Sequence, residues 1–112
     1  MHLKSTTIFP CGYVLKCKSN KYYVGITMDL NKRWSPHKSG DGSLFTSLFE
    51  PESVLEVEMN PEGDWETKKT IEMMTRFGIQ NVRGAGYCKL ELSDKTIQNL
   101  LALGCTLDGQ VE

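Results

Sequence analysis

The hydrophobic pattern of the chain begins with two short runs. Residues 12–18 (GYVLKCK) and 22–27 (YYVGIT) are rich in aromatic and β-branched side chains and flank a short polar turn, which predicts a β-hairpin. Loop length decides which side chains share a face. A two-residue turn at Ser19-Asn20 sets Tyr13 and Tyr23 on opposite faces of the hairpin. A three-residue loop, Lys18-Ser19-Asn20, pairs Cys17 with Lys21, Leu15 with Tyr23 and Tyr13 with Gly25, so both tyrosines share one face. It also puts Asn20 where a left-handed backbone is needed, which Asn tolerates. The three-residue loop is therefore expected.

Asp29 is the expected cap of a short helix through Leu30, Lys32, Arg33 and Trp34, which Pro36 ends or kinks. Residues 39–43 (SGDGS) read as a loop. Residues 53–59 (SVLEVEM) alternate apolar and acidic side chains with period two, the pattern of a half-buried strand. After a turn at 60–64, Asp64 caps a helix over 65–77 with Ile71, Met74 and Phe77 at spacing three and Gly78 as its stop. Residues 81–87 (NVRGAGY) read as a glycine-rich loop. Ser93 caps a last helix carrying Ile97, Leu100 and Leu101, stopped by Gly104, with a frayed tail beyond. The order β-β-α-β-α-α predicts one small α+β domain over residues 1–112, with its core at about 11–103. Three strands need helices over them to hide both faces.

A length of 112 residues has room for one core, and 39% apolar residues can fill it. Cys11, Cys17, Cys88 and Cys105 show no CxxC spacing and are expected to be reduced, structural thiols. No apolar run approaches the ~20 residues of a membrane span, and the first nine residues lack a signal-peptide apolar region. The expectation is an intracellular protein, cytoplasmic or associated with DNA in nucleoid or nucleus, not secreted and not in a membrane. The net charge of −1 hides a split. Residues 1–49 hold seven basic and two acidic residues, a balance of +5; residues 50–112 hold six and twelve, a balance of −6. Such asymmetry fits a polyanion-facing side and equally fits two ordinary solvated surfaces.

Singly, the chemistry-bearing residues carry little: a strand tyrosine is usually packing, and a glutamate at a helix start usually complements the dipole. Their order says more. Gly12-Tyr13-Val14 is followed about ten residues later by Tyr23-Val24-Gly25, then Asp29-Leu30, Arg33-Trp34 and His37. Gly40-Asp41-Gly42-Ser43 comes next, and much later Glu66 and Asn81-Val82-Arg83-Gly84. Over about residues 11–91 this resembles the GIY-YIG nuclease family, with GYV and YVG in place of the two name-giving tripeptides. The resemblance implies a three-stranded antiparallel sheet flanked by helices and a metal-dependent endonuclease acting on DNA. It implies an active site of Tyr13, Tyr23, Arg33 and His37, with Glu66 as the single protein ligand of a divalent metal, Mg²⁺ or Mn²⁺. Lys38, Ser43 and, more loosely, Asn81 are the implied nucleic-acid contacts.

These residue types suit phosphodiester hydrolysis. A metal held by one carboxylate keeps most of its coordination sites for water and phosphate oxygens. Arg33 offers a planar, permanently charged fork to non-bridging oxygens. Tyr13, Tyr23 and His37 remain alternatives for accepting the proton of the attacking water. Glu72 is a rival to Glu66, which is preferred for its place at the helix start and its spacing from NVRG. Similar sequences often have adjacent glycines where this chain has Gly84-Ala85-Gly86, and Ala fits there unless its φ is positive. No zinc finger, helix-turn-helix or basic tail is evident, so DNA contact is expected through phosphates with strong salt dependence, or through a partner protein that supplies specificity. The alternative function is a catalytically weak GIY-YIG-like module that binds nucleic acid or protein within a larger complex. Oligomeric state is not legible.

Overall fold

The structure, a computed structural model, describes residues 10–30 and 43–109. Strands β1 (Cys11–Cys17) and β2 (Lys21–Thr27) form the expected hairpin, with Cys17 opposite Lys21, Leu15 opposite Tyr23 and Tyr13 opposite Gly25. The loop Lys18–Asn20 closes on two left-handed residues, Asn20 (φ 57°) and also Ser19 (φ 62°). Leu30 is already helical, but the rest of the expected Asp29 helix, including Arg33 and His37, lies outside the described residues.

Helix α1 (Leu44–Leu48) was not foreseen, because five residues are too few to display a period. Its start is local chemistry: the Ser43 hydroxyl accepts from the Thr46 amide at 3.1 Å, and the Ser43 amide donates to the Thr46 hydroxyl at 3.1 Å. Strand β3 (Pro51–Met59) pairs antiparallel with β1. Helix α2 (Trp65–Phe77) has the expected ends, with Asp64 accepting from the Thr67 amide and Gly78 at its close. Strand β4 is Val82–Gly84 and helix α3 is Asp94–Ala102, capped by Ser93 as expected.

Three expectations need correction. The sheet is four-stranded and mixed, in the order β3-β1-β2-β4, not three-stranded and antiparallel. Residues 82–84, read as loop, run parallel to β2 with Tyr22, Tyr23 and Val24 opposite Val82, Arg83 and Gly84. A three-residue strand holding an arginine and a glycine has no alternating pattern to betray it. β3 is not half-buried: it is an edge strand whose Val54, Leu55, Val57 and Met59 are 38–65% exposed. The register shift between Val14 and Leu15 leaves Leu55 as an extra residue, which breaks the alternation. Finally, the segment after α3 is not frayed as far as Gly109. The Ile79 and Gln80 amides donate to the Thr106 and Leu107 carbonyls at 2.8 and 3.2 Å, and Cys105 is buried.

The sheet separates two cores. On one face Val14, Tyr22, Val24 and Val82 pack with Met73 and Met74 of α2 and Leu100 of α3. On the other, Tyr13, Leu15 and Cys17 pack with Tyr23, Leu30 and Phe49. All four cysteines are free thiols, and only Cys88 is exposed. Among the described residues, no helix is long and apolar enough to cross a membrane.

Candidate active site

The hairpin register brings Tyr13 and Tyr23 to one face of the sheet. Tyr13 is 1% exposed, whereas Tyr23 is half-buried and stacks at 6.4 Å on Phe45 of α1. The Tyr13 phenol reaches across the strand boundary and lies over Gly25. A Cβ built there would stand only 2.5 Å from the ring carbon that bears the hydroxyl. A glycine at this point is therefore a requirement of close approach.

Glu66 stands in the first turn of α2, which covers the opposite face. The tyrosines and this carboxylate thus belong to different layers, a relation that linear order does not reveal. β4 pairs with β2 only from Tyr22 to Val24, so Gly25, Ile26 and Thr27 continue past the end of β4. The Trp65 ring next to Glu66 covers Gly12, the partner of Ile26. The α2 start and the Tyr13 hydroxyl therefore meet the same end of β2 from its two sides. Glu66 is half-buried, and its carboxylate makes no ion pair or hydrogen bond among the described residues. An unpartnered carboxylate is a donor that suits one hard divalent cation still carrying waters. Glu72, the rival, is engaged with Lys69 at 3.1 Å, and Lys69 also holds Glu56 of β3 at 2.9 Å.

Arg33, His37 and Lys38 lie outside the described residues. Ser43 and Asn81 are described, and both spend polar atoms within the fold. Ser43 caps α1. Asn81 donates to the Phe77 carbonyl at 2.7 Å and accepts from Lys21 at 2.8 Å. Lys21 is four residues before Gly25, so Asn81 stands roughly 13 Å along the strand from the Tyr13 hydroxyl. Sequence reasoning missed Arg83 as an individual residue: it is buried on the tyrosine face, next to Tyr23 in the sheet. Its only signal was membership of the NVRG segment.

The two phenols on one face of the hairpin, and a carboxylate at the α2 start without a partner among the described residues, sit on a small mixed sheet. The chain belongs to the GIY-YIG family, since the family model of the GIY-YIG catalytic domain matches residues 9–71. Among curated relatives, the UPF0213 protein YazA of Bacillus subtilis is 42% identical over 43 residues, 38% of this chain and 43% of YazA. The UPF0213 protein SSP2268 of Staphylococcus saprophyticus is 30% identical over 63 residues, 56% of this chain and 77% of that protein. A UPF0213 protein of Xanthomonas campestris is 42% identical over 43 residues, 38% of this chain and 42% of its own length. The chain thus spans a little over two fifths of the first curated relatives it matches. No solved structure matches it at a significant level.

Proposed function

We propose that this chain is a divalent-metal-dependent endonuclease that hydrolyses phosphodiester bonds of DNA. The observation that carries the reading is the shared face of Tyr13 and Tyr23 on the β1–β2 hairpin, in a chain whose family match also contains Arg33, His37 and Glu66. Glu66 is the residue to hold Mg²⁺ or Mn²⁺, which when bound supplies Lewis-acid charge stabilisation at the phosphate.

The protein's own groups then have separable tasks. Arg33 pairs with non-bridging phosphate oxygens and offsets the charge that grows on them. Tyr23, the more exposed phenol, is better situated than Tyr13 to take up the proton of the attacking water, and His37 is the other acceptor in reach of neutral pH. Tyr13, enclosed over Gly25, orders the neighbouring strand end. Lys38 adds a phosphate contact, and DNA is held by its backbone with little base readout.

The test is incubation of the purified chain with supercoiled plasmid, duplex, single-strand, flap, junction and RNA substrates, with Mg²⁺, Mn²⁺ or EDTA. The expected result is nicking of DNA with either ion and none with EDTA. Binding without cleavage under every condition would favour the non-catalytic module instead.

A further inference from the structure

Arg83 is an unusual occupant of an interior position. It is 4% exposed, and its guanidinium donates to four backbone carbonyls. Nε donates to the Lys89 carbonyl at 2.7 Å and Nη2 to that of Leu90 at 2.7 Å. Nη1 donates to the carbonyls of Ile79 at 2.6 Å and Val82 at 2.7 Å. Four of the five guanidinium N–H groups are thereby spoken for, and no carboxylate is among the described partners. Burying a cation without a counter-ion is costly, and a neutral side chain of similar volume usually fills such a site at least as well. Burial accordingly pushes the Arg83 pKa down. With one N–H left, the group is not a phosphate fork.

What it does hold is a ring. Its central carbon lies 5.8 Å from the centroid of Phe45. Phe45 is itself buried, 5.1 Å from Phe49 and 6.4 Å from Tyr23, whose ring is inclined to it by 28°. Arg83 also ties Ile79, before β4, and residues 89–90, after it, to the strand. We propose that Arg83 is a positioning residue: pinned by four carbonyls, its guanidinium backs the Phe45 ring, and Phe45 sets the orientation of the Tyr23 phenol. The proposal rests on the reading of Tyr23 as an active-site residue.

Two variants separate this role from simple support of the fold. Arg83→Met keeps an unbranched apolar stem and removes every donor; Phe45→Leu leaves the four carbonyl bonds in place and removes the ring. The aromatic NMR signals of Tyr23, identified by their loss in Tyr23→Phe, are followed through a pH titration of each protein. Plasmid nicking with Mg²⁺ is measured alongside. Both variants are expected to move the Tyr23 signals and to lower kcat by about 10²-fold, the scale of a misplaced reacting group. KM for DNA stays within about threefold, since Arg83 does not touch the phosphate, and Arg83→Met costs little more in the Tyr23→Phe background.

Unmoved Tyr23 signals in the folded variants would overturn the proposal. So would a rise in KM at constant kcat, or full additivity with Tyr23→Phe. Should Arg83→Met not fold, Arg83→Lys, which keeps the charge but loses the planar fork that spans the carbonyls, takes its place. If the wild-type protein nicks nothing, the nuclease reading falls, while the Tyr23 signals still judge the positioning.

Discussion

Tyr13 and Gly25 interlock across the β1–β2 pair: the phenol occupies the space where a side chain at residue 25 would stand. This contact aims the hydroxyl at the strand end that β4 leaves unpaired. Gly25→Ala forces the ring aside. The expected loss is about 1–3 kcal/mol, as for overpacking elsewhere, with nicking reduced more than DNA affinity. Thermal unfolding and plasmid nicking, measured together, check both halves. A variant as stable and active as wild type would remove the contact from the account of the site.

Glu66 has no partner to lose among the described residues, so Glu66→Gln should leave the melting temperature within a degree or two. The same change removes the charge that a hard cation needs, and metal-dependent nicking should fall below detection. Glu72→Gln, which breaks only an exposed ion pair to Lys69, serves as the control and should retain activity. Equal nicking by Glu66→Gln and wild type would exclude Glu66 as the metal ligand.

The turn after β4 offers two neighbouring substitutions of opposite sign. Ala85 has a φ of 52°, a left-handed conformation that costs a side-chain-bearing residue about 1–2 kcal/mol. Ala85→Gly relieves this and gives back part of it as unfolded-state entropy, for a net gain of about 0.5–1 kcal/mol. Gly84 has a φ of 156°, and a Cβ there would lie 2.5 Å from the Val24 carbonyl oxygen. Gly84→Ala should therefore destabilise the β2–β4 pair. Urea unfolding midpoints of the two variants should bracket the wild type.

Cys17 makes stability fall in alkali. Burial, with a smaller contribution from Glu52, pushes its thiol up to about 12 from an ordinary 9.0. Below pH 9 the thiol is protonated in both folded and unfolded chains and its contribution is complete. Between pH 9 and about 12 the unfolded chain loses the proton while the folded chain keeps it. Stability then declines by up to about 1.4 kcal/mol per pH unit. Urea midpoints at pH 7, 9 and 10.5 should show a decline in wild type that Cys17→Ala lessens. In the native protein at pH 8, Cys88 should react with iodoacetamide and Cys17 should not.

Local chemistry was legible without coordinates. The aromatic and β-branched runs and the three-residue loop between them set the β1–β2 register, and so the common face of Tyr13 and Tyr23. Asp64, Gly78 and Ser93 marked helix boundaries because caps act on backbone groups within four residues. The same locality hid α1, whose Ser43–Thr46 box encloses less than two turns.

Relations between distant segments were decided only by tertiary packing. The parallel pairing of β4, the anchoring of Thr106 and Leu107 on Ile79 and Gln80, and the four carbonyls around Arg83 join residues whose own neighbourhoods carry no matching pattern. The position of Glu66 follows the same rule. Capping places it at a helix start, but the layer that helix occupies depends on which sheet face buries Met73 and Met74. Hydrogen-bonded caps and strand alternation are short-range, and a chain states them locally; burial is a competition among all apolar surfaces at once, and only the folded molecule resolves it.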